Sequence, residues 1–259
     1  TKTLRLGALV LCNVFRHPAI LAKMFAVIDQ ASKGRAVMGI GAGNSEGEAV
    51  RHGYPWLSNK ERLSQLNEAL QVITSLWTND VTNFNGTYYK LDNVPCDPKP
   101  FQKPHIPILL GGRSRAIMRM VAKYGDEWNM HGGPKEIAER MMVMRGVCEK
   151  TERDPATIRV SVQTNMVLTE TKEQAEQLIR SRISAIAGRP EAGPGNVYAN
   201  IEEQVRDQAM VGDADQLQER VQAYLDVGVT HLDFQTPRPF QENKEMLAKF
   251  AANVMPFFS

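Results

Sequence analysis

The sequence predicts an α/β protein built from successive strand–helix units, in the arrangement of a TIM (β/α)8 barrel. Apolar strand segments alternate along the chain with amphipathic helix segments, which is the order of a parallel sheet whose strands are connected by helices. Gly34, Gly125 and Gly228 each stand where a helix ends and a strand follows, as a left-handed C-cap position prefers.

The strand count makes the predicted barrel a partial one. About six such strands can be counted, whereas a closed barrel needs eight, and at about thirty residues per unit the difference is roughly sixty residues. The first apolar run, Leu4 to Leu11, begins almost at once and is typical of a strand buried on both faces. We therefore expect the first two βα units to be absent; a complete, open doubly wound sheet is the alternative.

Composition limits the classes of partner. The chain has 259 residues, 42% of them hydrophobic, and a formal net charge of +2, so it can bury one large core and its electrostatic field is weak. Neither nucleic acid nor a membrane is expected as a partner, since no apolar run approaches the length of a bilayer span. Three scattered cysteines, Cys12, Cys96 and Cys148, favour a cytoplasmic compartment.

The front half of the chain has well-marked elements. A helix is predicted from Pro18, which suits a first-turn position, to Ser32, and a buried strand from Ala36 to Ile40 follows it. Ser58 and Glu61 have the spacing of a capping box at the start of a helix from Asn59 to Thr78.

Asn85-Gly86, between two β-favouring runs, predicts a hairpin over Val81 to Leu91. The later elements continue the alternation of strand and helix. They are a strand at Ile106 to Leu110, a helix bearing Ile117, Met120 and Val121, a short segment at Glu127 to Met130, a helix at Pro134 to Thr151, a strand at Ile158 to Leu168, a helix capped by Asp213 and Gln216, and a strand at Val229 to Phe234.

One polar stretch, at about 171–210, interrupts this pattern, and its part from Gly188 to Asn200 is rich in Gly and Pro. We expect a single domain over 1–259 with an insertion here. A loop of that length is typically a lid, a substrate-binding insertion or a dimer contact.

Two glycine-rich segments follow strands and are candidate binding loops. Gly39-Ile40-Gly41-Ala42-Gly43 lets a backbone approach a flat ring or an anion closely, although tight strand packing explains the same pattern. It lacks the spacing of a dinucleotide fingerprint. Gly111-Gly112-Arg113-Ser114 opens a helix and could hold an anion, or be an ordinary turn with a solvated arginine.

The histidines give no metal signal, because none of the five has another histidine four residues away or a cysteine at ligand spacing. No metal is expected. His17 and His131 follow strands, at the barrel end where catalytic residues are found, whereas His52 and His105 are expected at the surface.

In its motifs the chain resembles the bacterial luciferase-like flavin and deazaflavin oxidoreductases. The resemblance covers most of the chain and depends on the order and spacing of short pieces. These are Arg16-His17-Pro18-Ala19, Ile28-Asp29, Lys33-Gly34-Arg35, Gly39 to Gly43, Lys60-Glu61-Arg62-Leu63, Glu68-Ala69-Leu70, Phe84 to Tyr89, Pro98-Lys99-Pro100, Pro107 to Gly112, Asp126 to Asn129, Ala223-Tyr224 and Gly228 to His231.

This resemblance implies a luciferase-like TIM barrel with an insertion and a cofactor ring at the carboxyl ends of the strands. The Arg-His-Pro and Gly-x-Gly-Ala-Gly pieces are more similar to the branch that uses coenzyme F420, an 8-hydroxy-5-deazaflavin, than to the FMN monooxygenases. The implied activity is hydride transfer between that ring and a small organic substrate, while the protein supplies orientation and electrostatics.

The resemblance also implies site residues. The first strand of such proteins commonly ends in a non-proline cis peptide against the ring, and the matching bond here is Leu9–Val10. The implied cofactor-binding residues are Leu9, Val10, Gly41, Ala42, Gly43 and Asn44 beside the ring and Gly111, Gly112, Arg113 and Ser114 at the ribityl-phosphate tail, and Trp128 and Asn129 would line the substrate pocket.

Two departures affect the implied chemistry. Asn44 stands where some sugar-phosphate-oxidising relatives have a glutamate, so a general acid is lost there, although Glu46 is near. The family's Asp-His pair after the second strand, often the base, is not among these residues, so no general base is assigned. His17 is a candidate proton donor, with a loop-positioning role bonded to the backbone as the alternative.

Three functions remain open on the sequence. The first is a coenzyme F420-dependent oxidoreductase, the second an FMN-dependent luciferase-like monooxygenase, and the third a non-catalytic flavin-binding paralogue. Relatives are often dimers, so a homodimer is expected. The substrate and the direction of the redox step are not indicated.

Overall fold

The computed structural model describes residues 1–187, 200–235 and 239–258. The chain forms two compact units, one of residues 1–129 with 146–158 and the other of residues 130–145 with those from 159 onward. They are called the first and second unit below. The single domain expected over 1–259 stays a prediction.

The first unit is built on a parallel sheet, as the alternation of elements predicts. Its strands in chain order are β1 (Leu6–Gly7), β2 (Leu11–Cys12), β3 (Ala36–Gly41), β4 (Val81–Asn85), β5 (Lys90–Pro95), β6 (Ile108–Gly111) and β7 (Glu127–Met130). β1 and β2 both pair with β3, β3 pairs with β6, and β6 pairs with β7, all in parallel. β4 and β5 form the predicted antiparallel hairpin.

A bulge separates β1 from β2. Gly7 lies opposite Val37 and Leu11 opposite Ile40, so the first strand advances four residues while its partner advances three. The Leu9–Val10 peptide within the bulge is cis, as the resemblance implies. A Cβ atom on Gly39 would lie 1.8 Å from the Ala8 carbonyl oxygen. The bulge therefore requires glycine at position 39, because any side chain there would collide with backbone.

The expectation of one continuous strand over Leu4 to Leu11, buried on both faces, is wrong. Leu4 is 61% and Leu6 49% exposed, and the run is divided by the bulge. Among the described strands only β3 pairs with β1 and β2, so this segment is an edge of the sheet with unpaired backbone groups on one side.

The helices of the first unit are α1 (Pro18–Ser32), α2 (Glu46–Arg51), α3 (Asn59–Thr78) and α4 (Arg115–Tyr124). α1 and α3 have the predicted bounds, and Ser58 and Glu61 form the predicted capping box. The indole nitrogen of buried Trp77 donates to the Ala22 carbonyl at 2.9 Å, which joins α3 to α1. The short helix α2 was not predicted.

Glu68 on α3 holds the tip of the hairpin. Its carboxylate accepts the amide N–H groups of Thr87 and Tyr88 at 2.8 Å and that of Tyr89 at 3.2 Å. Three backbone donors on one ionised acceptor form a charge-assisted cluster. The hairpin is therefore fixed against the helix as well as by its own ladder.

The glycines at helix ends are not equivalent. Gly34 and Gly228 have φ of 80° and 94°, which confirms the predicted left-handed positions. Gly125 has φ of −86°, so that prediction is wrong. A Cβ atom on Gly125 would lie 3.0 Å from both Cα and O of Val121, and glycine is needed there because the chain turns tightly against the last turn of α4.

The second unit has its own parallel strands, β8 (Arg159–Leu168), β9 (Met210–Gly212) and β10 (His231–Gln235), with β8 between the other two. Its helices are α5 (Pro134–Lys150), whose last turn belongs to the first unit, α6 (Lys172–Ala187), α7 (Ile201–Gln208), α8 (Ala214–Asp226) and α9 (Phe240–Asn253).

The expected long loop at about 171–210 is largely helical, which corrects that expectation; residues 188–199 lie outside the described part. α6 and α7 are joined by Arg206, whose Nη1 and Nη2 donate to the two carboxylate oxygens of Glu176 at 2.9 and 2.8 Å. A polar composition is compatible with two helices joined by ion pairs as well as with a loop, so composition alone could not distinguish the two.

Replacing Gly39 by alanine should lower the free energy of unfolding by at least about 3 kcal/mol, because the added methyl collides with the Ala8 carbonyl. Gly146→Ala is the matched control. Its Cβ would meet nothing within 4 Å in α5, so it should raise stability by about 0.5–1 kcal/mol. Urea denaturation of both variants checks this, and equal effects would contradict the bulge geometry.

Glu176→Gln should remove a pH-dependent contribution to stability. Hydrogen bonds from Arg206, and then from Arg180, lower the pKa of the Glu176 carboxyl to about 2. Because the folded-state pKa lies below the ordinary value, this contribution is present above about pH 4.5 and is lost as the pH falls toward 2. The melting temperatures of wild type and variant should therefore differ at pH 7 and converge in acid.

Glu149→Gln, on the exposed end of α5, serves as the control for loss of one surface carboxylate and should show no such convergence. A wild-type advantage over Glu176→Gln that grows below pH 4 would contradict the assignment.

Candidate functional site

The carboxyl ends of the strands in the first unit bring the predicted loops together. The register places Cys12 beside Gly41 and Gly111 beside Asn129, and continuing the β3–β6 pairing by one residue places Gly41 beside Gly111. One row across the sheet thus contains Cys12, Gly41, Gly111 and Asn129. Its two central positions have no side chains; Gly41 is buried and Gly111 is partly buried.

Val10 lies against those two glycines. Its Cγ2 atom is 3.1 Å from the position of a Cβ on Gly41 and equally far from that of a Cβ on Gly111. Val10 is nevertheless 37% and Leu9 38% exposed. The bulge therefore presents an exposed apolar surface that packs on two strand ends without side chains, and we call this surface the glycine ledge (Leu9, Val10, Gly41 and Gly111). A flat ring can approach such a surface closely.

The loop after β3 is fixed by the residues beneath it. Gly43 has φ of 87°, and a Cβ there would lie 2.7 Å from Cys12 Sγ and 3.5 Å from the Trp56 ring. Ala42 and Gly43 are partly buried and Asn44 is exposed, and Ser45 begins α2 by accepting the Glu48 amide N–H. Burial raises the pKa of the Cys12 thiol, so it is protonated at neutral pH.

Trp56 and Arg62 support this loop, a role that the sequence did not indicate, although Arg62 lies in one of the recognised motifs. The Arg62 guanidinium lies 3.8 Å from the centroid of the Trp56 ring. Arg62 is only 8% exposed, and its Nη1 donates to the Leu57 carbonyl. Its Nε is buried without a hydrogen-bond partner. The cation–π contact thus compensates a buried charge and holds the indole against Gly43.

The segment before α4 provides fewer anion ligands than the sequence suggests. The Gly112 N–H donates to the Asn129 carbonyl at 3.0 Å, and its carbonyl accepts the indole N–H of Trp128 at 2.7 Å. Gly112 is therefore engaged within the protein. Arg113 and Ser114 are exposed, and the Ser114 Oγ accepts the Ile117 N–H at 3.3 Å, which leaves its hydroxyl proton to donate.

The first-turn amides of α4 have no acceptor within the helix. Together with the Ser114 hydroxyl and the Arg113 side chain they form an electropositive end that suits an anion.

Trp128 and Asn129 are both buried, and Trp128 has no exposed surface. The bond to Gly112 explains this, since it anchors the indole inside the sheet layer. The structure gives Trp128 a packing role that fixes Gly112, and the pocket-lining role implied by the resemblance stays a prediction.

His17 has its ring positioned by the backbone. It is the N-cap of α1, and its Nδ1 accepts the Ala19 N–H at 3.3 Å. Nδ1 as acceptor places the proton of the neutral ring on Nε2. The ring is exposed and lies edge-on to Tyr89, with centroids 5.3 Å apart. His17 is therefore bonded to the backbone of α1, as in the loop-positioning alternative, and it also has an exposed Nε2–H group, as a proton donor requires.

A polar cluster under His17 was missed by the sequence reasoning. Buried Asn13 donates through Nδ2 to the Tyr89 hydroxyl at 3.3 Å, and Asn13 Oδ1 has no partner. Burial raises the pKa of Tyr89. Phe84 to Tyr89 was recognised as a motif, but the contact of its last residue with the end of β2 is not encoded in local sequence.

The second unit has a smaller polar site of its own. His131 is exposed and its Nδ1 lies 3.1 Å from the Gln163 carbonyl. The buried Tyr224 hydroxyl donates to the Gly132 carbonyl at 3.0 Å, and burial raises the pKa of Tyr224 to about 12.

Two histidines of the first unit were expected at the surface. His105 instead stacks on Trp77, with ring centroids 6.5 Å apart, and is half-buried, whereas His52 is exposed as expected.

Within the described residues no group of three or more His, Cys, Asp and Glu side chains is placed to hold a metal ion. In the same residues no helix combines the length and apolarity needed to cross a membrane.

Comparisons with known proteins agree on one family. A family model described as luciferase-like monooxygenase matches residues 1–231. An F420-dependent glucose-6-phosphate dehydrogenase of Amycolatopsis mediterranei is 27% identical over 269 residues, covering 99% of this chain and 80% of that protein. An FMNH2-dependent dimethylsulfone monooxygenase of Pseudomonas putida is 28% identical over 184 residues, covering 71% of this chain and 50% of that protein.

Solved structures show the same fold. A monooxygenase from Streptomyces bottropensis matches with a TM-score of 0.80 at 22% identity, covering all of this chain and 80% of that one. The coenzyme F420-dependent tetrahydromethanopterin reductase from Methanopyrus kandleri matches with a TM-score of 0.77 at 19% identity, covering 98% and 83%. These matches confirm the predicted fold class, an α/β barrel of the luciferase-like type.

The Trp56–Arg62 contact predicts a measurable coupling. Arg62→Lys keeps the charge but loses the planar stack and the fork of donors, so it should lower the free energy of unfolding by about 1–3 kcal/mol. Trp56→Phe alone should cost less. The double-mutant cycle should give a coupling of about 0.5–2 kcal/mol, measured by urea denaturation; a coupling near zero would show that the two residues only happen to be neighbours.

Proposed function

The chain belongs to the luciferase-like monooxygenase family, whose members are enzymes, and on that premise we propose that it is a coenzyme F420-dependent oxidoreductase. It would transfer a hydride between the deazaflavin ring and a small organic substrate. The observation that carries the proposal is the glycine ledge, where two strand ends without side chains adjoin an exposed apolar bulge.

The residues present fit such a cofactor. The glycine ledge offers a flat, apolar approach to a ring, and the start of α4 offers amide N–H groups, the Ser114 hydroxyl and Arg113 to a phosphate. Asn13 Oδ1 is a buried acceptor without a partner, which suits a bound hydrogen-bond donor. Ala42, Gly43 and Asn44 would border the ring, while Gly112 would act by shaping the loop rather than by binding.

The bound cofactor would supply the hydride chemistry, and the protein would bind, orient and exclude water. Leu9 and Val10 would support one face of the ring, and the Trp56–Arg62 pair would keep the Gly41–Asn44 loop in place. The Nε2–H of His17 is the proton donor that the geometry offers. Asn44 has an amide that cannot act as a general acid, and no residue is assigned as general base.

Support for F420 over FMN comes from the extent of similarity. The F420-dependent relative aligns with 99% of the chain and the FMNH2-dependent one with 71%. An FMN-dependent monooxygenase is the second candidate, favoured by the near-equal identity of that shorter match. A non-catalytic flavin-binding paralogue is the third.

A cytoplasmic homodimer remains part of the proposal. Ile20, Met24, Val27 and Ile28 on α1 are all exposed and recur at helical spacing. An apolar stripe of this kind supports association with a second copy.

Fluorescence titration tests the cofactor assignment. Oxidised coenzyme F420 should bind saturably at micromolar concentration and FMN should bind more weakly, since the deazaflavin is the proposed ligand. Gly41→Ala should weaken binding at least about tenfold. The added Cβ would lie 3.1 Å from Val10 and would push the Val10 side chain toward the space that the ring is proposed to occupy.

Gly47→Ala in α2 is the matched control, with open space beyond one flexible arginine tip, and should bind as wild type. Binding of FMN alone would move the protein to the second candidate. Binding of neither would leave the third, and unchanged affinity in Gly41→Ala would remove the glycine ledge as the ring site.

A further inference from the structure

A groove of about 500 Å³ runs between α3 and α4 in the first unit, and none of its lining residues belongs to the glycine ledge. Its floor includes Leu63, Ala116 and Met120, and its rim carries Lys60, Arg119 and Lys123. Met120 is buried, whereas the three cationic residues are exposed. The groove therefore combines an apolar floor with positive charge on both sides.

The charge of this groove is not balanced by its own residues. No Asp or Glu lines it, and within the described residues Lys60 and Arg119 make no ion pair. The first turn of α4 has no acidic residue and begins with Arg115. Glu61, the acidic residue in the first turn of α3, is engaged by Ser58 in the capping box.

Cations in the first helical turn oppose the helix dipole, which favours negative charge there. Lys60 and Arg115 both occupy such positions, so the sequence accepts a small cost to stability at this end of the groove. A negatively charged ligand close to these helix starts would offset that cost.

The groove begins within one helical turn of the predicted phosphate site along α4. Ala116, which lines the groove, lies in the first turn of α4, two residues after Ser114. A ligand whose phosphate contacts Arg113 and Ser114 and which continues beyond that phosphate would enter the groove directly. FMN ends at its phosphate, whereas coenzyme F420 continues into a chain of carboxylates.

We propose that the groove between α3 and α4 binds the acidic tail that extends beyond the cofactor phosphate. Lys60, Arg119 and Lys123 pair with the tail carboxylates, and the floor of Leu63 and Met120 packs against its methylene groups. This inference rests on the proposed function, and it makes the groove the element that separates a tailed deazaflavin from FMN.

The test compares two ligands by fluorescence titration. One is coenzyme F420 with its oligoglutamyl tail, and the other is the same deazaflavin phosphodiester without glutamates. The tailed form should bind wild type about 3- to 10-fold more tightly in about 0.05 M salt, as expected for a few exposed ion pairs, and the advantage should shrink in about 0.5 M salt.

Lys60→Gln combined with Arg119→Gln should abolish most of this advantage while leaving the affinity for the tail-free ligand within about twofold of wild type. The control is Lys150→Gln with Arg182→Gln, which removes the same charges from exposed helix positions outside the groove and should keep the advantage.

Equal binding of the two ligands by wild type would overturn the groove assignment and leave the proposed function intact. Equal loss of the advantage in both double variants would also overturn it, as an effect of net charge. Binding of neither ligand would overturn the proposed function itself. If Lys60→Gln/Arg119→Gln alters self-association in sedimentation while ligand affinities are unchanged, the groove is a protein interface instead.

Discussion

The contact between the bulge at Ala8–Val10 and the glycines of β3 and β6 is the constraint on which the candidate site depends. The Ala8 carbonyl occupies the space where Gly39 would carry a side chain, and Val10 lies over Gly41 and Gly111. The first strand advances one residue more than β3 in this region. The bulge therefore brings the apolar side chain of Val10 to the carboxyl ends of β3 and β6. The absence of side chains at these glycines thus admits the bulge, and the bulge in turn exposes the apolar side chains of Leu9 and Val10 at the proposed ring site.

α3 stabilises this arrangement from the outside at three points along its length. Arg62 near its start holds Trp56 against Gly43, Glu68 fixes the hairpin that brings Tyr89 to Asn13 and His17, and Trp77 joins its end to α1. The contacts of Arg62 and Glu68 are made by charged groups with defined geometry, so the loop after β3 and the hairpin are held by directional interactions as well as by packing. Such preorganisation is what a hydride-transfer site requires, since reactivity depends on the distance and angle between two rigid groups.

Local signals predicted the elements well, and non-local contacts explain what was missed. The bounds of α1 and α3 follow from proline, capping residues and apolar stripes that lie within each helix, and the hairpin follows from Asn85-Gly86. The sequence could not distinguish Gly125 from Gly34. Position 125 needs glycine because Val121 approaches its backbone closely, not because the residue has a positive φ. In the same way, Gly112 and Trp128 looked like ligand contacts until their mutual hydrogen bond was seen. Arg62 belongs to the recognised motif Lys60 to Leu63, but its contact with Trp56 could not be predicted, since a buried arginine is indistinguishable in sequence from a solvated one.

A protein can distinguish two related cofactors only by contacts with the parts in which the two molecules differ. FMN and coenzyme F420 both offer a planar tricyclic ring, a ribityl chain and a phosphate, so the glycine ledge and the start of α4 would accept either one. Discrimination must come from contacts that only one of them can make. In the proposed assignment, exposed cations beside an apolar floor, within one helical turn of the predicted phosphate position, provide such contacts for a polycarboxylate and none for a ligand that ends at phosphate. Specificity between similar ligands is a difference of affinities, and surface charges outside the barrel core can supply that difference without altering the geometry of hydride transfer.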